Sequence, residues 1–247
     1  MTQSFNDNSL NTTAPLTNVG LAMSALERSV NRSPHLPGMV VYYGPSGFGK
    51  SFSATYTANN LRAYYIECKS SWTKKGLLFS ILKEMGIAPA HTIYEMTDQI
   101  SEELVLSQRP LIIDEMDHIV DKKAVEIVRD IYEGSQAPIL LIGEEKLPTK
   151  LKRWERFHGR VLDFVPAQPA STADAKHLRR LYARGIEVAD DLLDEIQRIS
   201  RGSVRRICVN LDRVREIASV EGWESVDRKM WGSRELYTGE APTRRLG

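Results

Sequence analysis

Five short apolar runs, at residues 40–43, 63–68, 111–114, 139–142 and 161–164, punctuate the first two thirds of the chain. None shows strict alternation of apolar and polar positions, so each predicts a strand buried on both faces, as in a parallel sheet. Between them apolar residues recur at helical spacing. One such pattern starts at Lys50, and a second uses Leu77, Leu78, Ile81, Leu82 and Met85 with Gly86 closing it; others use Ile93, Met96, Ile100 and Leu104, and then Ala124, Val125, Ile127, Val128 and Ile131. A further helix precedes the first strand, with Thr17 or Asn18 as its cap and Leu21, Ala22, Ala25, Leu26 and Val30 at helical spacing, and ends at Pro34, Pro37 and Gly38. Strands alternating with helices predict an α/β sheet with helices on both faces.

From Pro166 onward the period is helical throughout. Pro166 and Pro169 punctuate a linker, after which Leu178, Leu181 and Tyr182, then Leu192, Leu193, Ile196 and Ile199, then Val204, Ile207, Leu211, Val214 and Ile217 predict a small helical lid. The expected organisation is therefore a disordered lead-in over 1–16, rich in Asn, Thr and Ser, an α/β domain over 17–166, the lid over 167–221 and a tail over 222–247. The tail has no sustained period; Trp223 and Trp231 are expected to dock it on the lid, since large aromatics usually bury area.

The first strand runs directly into Gly44-Pro45-Ser46-Gly47-Phe48-Gly49-Lys50-Ser51, which satisfies the G-x-x-x-x-G-K-[ST] phosphate-loop pattern between a strand and a helix. Glycines let such a backbone bend around phosphates with its N–H groups inward. Lys50 is placed to reach the outer phosphates and the Ser51 hydroxyl to ligate Mg²⁺, so the chain is expected to bind a nucleoside triphosphate. At the end of the 111–114 strand stand two carboxylates, Asp114 and Glu115. In a parallel sheet that end lies beside the phosphate loop. Asp114 then holds Mg²⁺ through its water shell, and Glu115 orients and polarises the attacking water, which points to hydrolysis as well as binding.

Composition narrows the setting without changing that picture. The 247 residues suffice for one large domain, or a core domain plus a small one, with no need of staples. Cys68 and Cys208 form no Cys-x-x-Cys pair and have no His cluster beside them, which suits reduced cysteines in a cytoplasmic protein. The start of the chain lacks the basic and apolar regions of a secretory signal, and no apolar run approaches the roughly 20 residues that cross a bilayer. A net charge of +1 leaves any nucleic-acid contact to local patches.

An apolar strand ending in Asp-Glu, after a GPSGFGKS loop and before another strand and a helical lid, resembles the AAA+ ATPases over nearly the whole span 17–220. That resemblance implies an α/β P-loop NTPase fold with ATP and Mg²⁺ as cofactors and two further arginines. One acts in trans on a neighbouring subunit from near the end of the helix before the fifth strand; Arg160 matches its position best, with Arg153 and Arg156 as alternatives, and a basic helix end in solvent is the plainer reading of any single one. The other senses the γ-phosphate from the lid: Gly202-Ser203-Val204-Arg205 resembles the G-x-x-R start of the AAA+ lid helix, which implies Arg205, with Arg206 on an adjacent face. After the fourth strand many AAA+ proteins carry Asn, Thr or Ser as a first sensor, whereas this chain reads Gly143-Glu144-Glu145. A carboxylate there repels phosphate, so Glu144 is expected to point away and basal hydrolysis to be slow.

Within that class the plan is similar to the transposition helper ATPases of Mu-like phages and Tn7-like elements. The matching features are the short helix before the phosphate loop, Thr73-Lys74-Lys75-Gly76-Leu77-Leu78 after the second strand, Ile142-Gly143 at the fourth and the small lid. The resemblance implies a homo-oligomeric ring or helical filament on double-stranded DNA with little sequence preference. It delivers target DNA to a transposase in the cytoplasm, of a bacterial host if phage-encoded, with no membrane involved. DNA contact is expected from Lys69, Trp72, Lys74 and Lys75 after the second strand and from Lys122 and Lys123, placed at the start of the helix after the acidic pair. Such lysines touch phosphates and confer salt-sensitive, sequence-tolerant affinity, although an exposed charged loop accounts for each one alone. Arg244-Arg245 in the tail suits a protein partner. The alternatives are a loader, initiator-type or secretion-associated AAA+ ATPase, a small-molecule kinase using the same loop, and a protein-remodelling factor, for which no aromatic pore loop is apparent.

Overall fold

The computed structural model describes residues 16–240, which divide into two units, 17–169 and 170–240 with Leu16. The lead-in before residue 16 and the Arg244-Arg245 pair lie outside the described residues.

The first unit runs α1 (Thr17–Val30), β1 (Met39–Tyr43), α2 (Lys50–Leu61), β2 (Tyr64–Glu67), α3 (Lys74–Met85), α4 (Ile93–Ser107), β3 (Leu111–Asp114), α5 (Asp117–Asp121), α6 (Val125–Ser135), β4 (Ile139–Gly143), α7 (Leu147–Leu151), α8 (Glu155–His158) and β5 (Val161–Pro166). The five strands form one parallel sheet in the order β2-β3-β4-β1-β5. Successive strand side chains point to opposite faces, and both faces are covered at β1, β3 and β4, which explains their apolar runs, whereas β5 at the sheet edge is only half-buried and carries Asp163. Val40, Tyr42, Ile112, Leu140 and Ile142 pack with Ala22, Leu26 and Ala54 of α1 and α2 on one face. Met39, Val41, Leu111, Ile113, Ile139 and Leu141 pack with Leu78, Leu82, Ile100, Leu104 and Val128 of α3, α4 and α6 on the other. The sheet with helices on both faces, plus a helical C-terminal region, is the P-loop AAA+ NTPase fold expected from the sequence.

Helix ends follow local chemistry. Thr92 caps α4 in a capping box with Glu95, and Gly86 ends α3 in the left-handed region. The helices α5, α7 and α8 carry no apolar period of their own, being only four or five residues long. One expectation is corrected: Lys122 and Lys123 do not begin a helix but lie between α5 and α6, with Lys123 at φ 56°.

The second unit holds α9 (Thr172–Tyr182), β6 (Glu187–Val188), α10 (Asp190–Ser200), α11 (Val204–Glu221), β7 (Ser225–Val226) and α12 (Arg228–Trp231). The three long helices fall where the apolar period put them. The two-residue strand β6 falls between two helices of the expected lid and pairs in parallel with β7, which with the short α12 capped by Asp227 lies in the tail that showed no sustained period. Trp231 is buried and its indole N–H donates to the Arg234 carbonyl at 2.9 Å. The buried Asn210 holds the chain near Tyr237, donating to its carbonyl and accepting from its N–H. No helix among the described residues is long and apolar enough to cross a membrane.

Candidate nucleotide site

The loop between β1 and α2 turns on Gly47 and Gly49, at φ 84° and 83°, a region that side chains disfavour. Gly49 is the N-cap of α2 and no side chain caps that helix, so the start of α2 presents backbone N–H groups as helix N-termini that hold phosphates do. Lys50 folds back over the loop, its ammonium donating to the carbonyls of Gly44 at 2.7 Å and Pro45 at 3.0 Å. Burial pulls its pKa below the ordinary lysine value, while Asp114, Glu115, Glu144 and Asp117 pull the other way. A half-buried ammonium beside the uncapped N-terminus of α2 suits an anionic ligand. Pro45, Ser46 and Ser51 are exposed, Gly44 is buried, and Phe48 is half-buried, packed on the α1–α2 side of the sheet.

Asp114 and Glu115 stand at the carboxyl end of β3, on the edge of the sheet from which the loop springs. Asp114 is 1% exposed. Its Oδ1 accepts the Glu115 N–H at 2.8 Å and its Oδ2 the Tyr65 hydroxyl at 3.2 Å. Glu115 is half-buried at φ 54°, a strained conformation for a residue with a side chain. Burial, then the neighbouring Asp114, raises its carboxyl above the ordinary glutamate value, with Lys50 and His118 opposing. Burial together with Asp114 also pushes the Cys68 thiol up to about 12, so that cysteine is inert. Among the described residues no group of three or more His, Cys, Asp and Glu could hold a metal alone. One hydroxyl from Ser51 and one carboxylate from Asp114, completed by phosphate oxygens and water, match how Mg²⁺ is commonly bound beside a nucleotide.

Sequence reasoning missed the residues that lock these parts together. Asn18, read as a cap, is buried and donates through its side-chain amide to the Phe48 carbonyl and the Gln168 carbonyl, both at 2.8 Å, while accepting the Gln168 N–H. Asp117, 4% exposed, accepts the Glu144 N–H at 2.7 Å and pairs with Lys150 at 3.0 Å. Tyr65 gave no signal because its partner lies 49 positions away.

The expected trans-acting arginines differ in their surroundings. Arg160 is ion-paired with Glu133 of its own chain, whereas Arg153 and Arg156 are exposed and have no ion pair among the described residues. Arg205 is exposed in the first turn of α11, whose N-cap is Ser203. The basic residues fall into distinct roles. Lys69, Lys74 and Lys123 are exposed without ion pairs among the described residues, while Lys75 donates to the His91 carbonyl. The Lys122 ammonium donates to the carbonyls of Ser70 and of Trp72, the latter at 2.8 Å, which draws the two basic segments together. Trp72 is half-buried against the core, a wedge beneath the loop rather than an open stacking face.

Residues 35–151 match the family model of an AAA domain. A comparison with curated proteins gave no match. Among solved structures the chain is similar to the ORC2 protein of Aeropyrum pernix, solved in ADPNP and ADP complexes, with a TM-score of 0.66 at 14% identity over 86% of this chain and 64% of that one. It is similar to the ORC1 protein of the same organism in complex with DNA, with a TM-score of 0.62 at 17% identity over 86% and 62% of the two chains. It is also similar to the RuvB Holliday junction branch migration motor of Thermotoga maritima, with a TM-score of 0.58 at 20% identity over 86% and 66%. The chain thus spans just under two thirds of the length of each.

Proposed function

We propose that the protein hydrolyses ATP in an oligomer that works on duplex DNA. The observation that carries the hydrolytic half is Asp114 and Glu115 standing at the same sheet edge as the glycine-turned loop and Lys50. In this reading bound Mg²⁺-ATP supplies the transferable phosphoryl group and the charge-neutralising metal. Lys50 would hold the outer phosphates, Ser51 and Asp114 would hold the metal, and Glu115 would orient the attacking water and take its proton. Its raised pKa brings it nearer to a working base. Arg153 and Arg156 stand beside Arg160 as candidates for the trans-acting arginine, since Arg160 must leave its exposed pair with Glu133 to act in trans. Arg205 would sense the γ-phosphate.

The DNA half draws support from the grouping of Lys69, Lys74, Lys122 and Lys123 around one loop and from the ORC1 and RuvB likeness. Initiator- or loader-type action is favoured over delivery of target DNA to a transposase, because the similar solved structures are ORC proteins and RuvB, whereas the transposase reading draws on the chain plan alone. The test is binding to random-sequence duplex DNA with and without ATP and Mg²⁺ across a salt series, alongside phosphate release, with Lys50→Ala as control. ATP-dependent, salt-sensitive binding with phosphate release supports the proposal. ATP binding without DNA association at low salt removes the DNA half, and phosphate transfer to a metabolite without free phosphate makes the protein a kinase. Stimulation of turnover by a co-purifying strand-transfer enzyme would restore the transposase reading.

A further inference from the structure

Asp117 is a buried carboxylate two residues beyond the catalytic pair, and none of the roles above uses it. Its Oδ2 accepts the backbone N–H of Glu144 at 2.7 Å, and it lies so close to the turn after β4 that a Cβ on Gly143 would stand 2.3 Å from that oxygen. Glycine is therefore required at 143 by the approach of the carboxylate. The other oxygen, Oδ1, pairs with Lys150 of α7 at 3.0 Å, and Lys150 also reaches Asp121 at 2.9 Å. Burial works against the Lys150 charge, but Asp121 and Asp117 outweigh it and raise its pKa. Buried ion pairs add little net stability, and what such a pair fixes is geometry.

The geometry in question is the 143–144 turn. On one side the Gly143 carbonyl accepts the N–H of Gly44, the first residue of the phosphate loop, at 3.3 Å. On the other, the Ile142 carbonyl accepts the N–H of Met116, the residue after Glu115, at 2.9 Å. The turn bridges the two halves of the site, and Asp117 is the side chain that sets its position. We infer that Asp117, held by Lys150, is a positioning residue for hydrolysis: through the Glu144 N–H it keeps the β4 turn in register between the phosphate loop and Glu115. Lys150 carries the tie into α7, from which the chain continues directly to Arg153 and Arg156.

The inference rests on the ATP-hydrolysis reading, and the test separates the two. Single-turnover hydrolysis and the dissociation constant of a fluorescent ATP analogue are measured on the full chain for wild type, Asp117→Ala, Asp117→Asn and Lys150→Met. A wild type that binds the analogue but releases no phosphate sinks the hydrolysis reading itself. With an active wild type, Asp117→Ala is expected to lose about 10- to 100-fold in rate, by analogy with removal of groups that orient metal ligands, with binding changed less than threefold. Asp117→Asn keeps an acceptor for the Glu144 N–H and is expected to recover to within threefold of wild type, and Lys150→Met to fall between the two. Equal loss of rate and affinity in every variant, or an Asp117→Ala rate within threefold of wild type, overturns the inference. If Asp117→Ala does not fold, Lys150→Met decides: an unchanged rate overturns it, and a slowed rate at unchanged affinity supports it.

Discussion

The Asn18 side-chain amide donates to the Phe48 carbonyl at 2.8 Å, fastening the start of α1 to the phosphate loop. The same side chain exchanges two hydrogen bonds with Gln168, beyond β5, so one buried residue joins three segments. Asn18→Ala leaves those backbone groups without their partner, at about 1–3 kcal/mol for each that stays buried and unsatisfied. We expect a lower Tm and a weaker affinity for ATP in the same variant, by thermal unfolding and titration. An unchanged affinity beside a lowered Tm would make Asn18 a fold residue alone.

Lys50 trades stability for binding. Burial lowers its pKa, so in the folded ligand-free protein the charged form is disfavoured relative to the unfolded chain. That cost is present below the lowered pKa and fades as pH rises through it towards the unfolded value. Lys50→Met is therefore expected to raise the Tm of the ligand-free protein at neutral pH, by about 2–4 °C for each kcal/mol relieved, with the gain shrinking in the alkaline range. ATP should raise the Tm of the wild type and not of the variant. A variant that melts lower without ligand contradicts the first half.

Glu115→Gln should bind ATP normally and hydrolyse it about 10²–10⁴-fold more slowly, the usual contribution of a positioned base. Because the wild-type carboxyl is raised, turnover should fall on the acid side at a pH above the ordinary glutamate value. The sign for stability is opposite to that of a salt-bridged acid. A carboxyl whose folded pKa is raised costs stability once pH exceeds the unfolded value, and the full cost is reached above the folded one. Glu115→Gln should accordingly be more stable than wild type at pH 7 and equal to it in acid, as denaturant titrations at the two pH values would reveal.

Tyr65→Phe removes the hydroxyl that donates to Asp114 at 3.2 Å and leaves the ring in place. Partners of a metal-holding carboxylate matter about 10- to 100-fold. We expect the Mg²⁺ concentration for half-maximal hydrolysis to rise by that order while ATP binding without metal is unchanged. Equal Mg²⁺ dependence in the two proteins would relieve Asp114 of the metal role.

Among the lysines, Lys69→Ala, Lys74→Ala and Lys123→Ala should each lower the salt slope of DNA binding by about one while leaving sequence preference alone. Lys122→Ala should act differently, because its ammonium holds the Ser70 and Trp72 carbonyls. It is expected to raise protease sensitivity around residues 69–75, where the other three do not.

Periodicity and local motif spacing by themselves determined the five strands, the long helices and the glycine loop between β1 and α2, because each depends on residues within a few positions of one another; that β2 and β5 are edge strands, with β5 only half-buried, was decided by the strand order. The short α5, α7 and α8 complete barely one turn, too little for a period to register. Tertiary structure alone decided which residues meet. Asn18 reaches Gln168 across 150 positions, Tyr65 reaches Asp114 across 49, Asp117 reaches Glu144 across 27 and Lys122 reaches Ser70 across 52. Such pairings arise from the strand order β2-β3-β4-β1-β5, which gathers the carboxyl ends of strands distant in sequence at one edge. A hydrogen bond between distant residues leaves no period in the chain: Asn18 reads as a cap and Asp117 as one more acid until the sheet brings their partners within 3 Å.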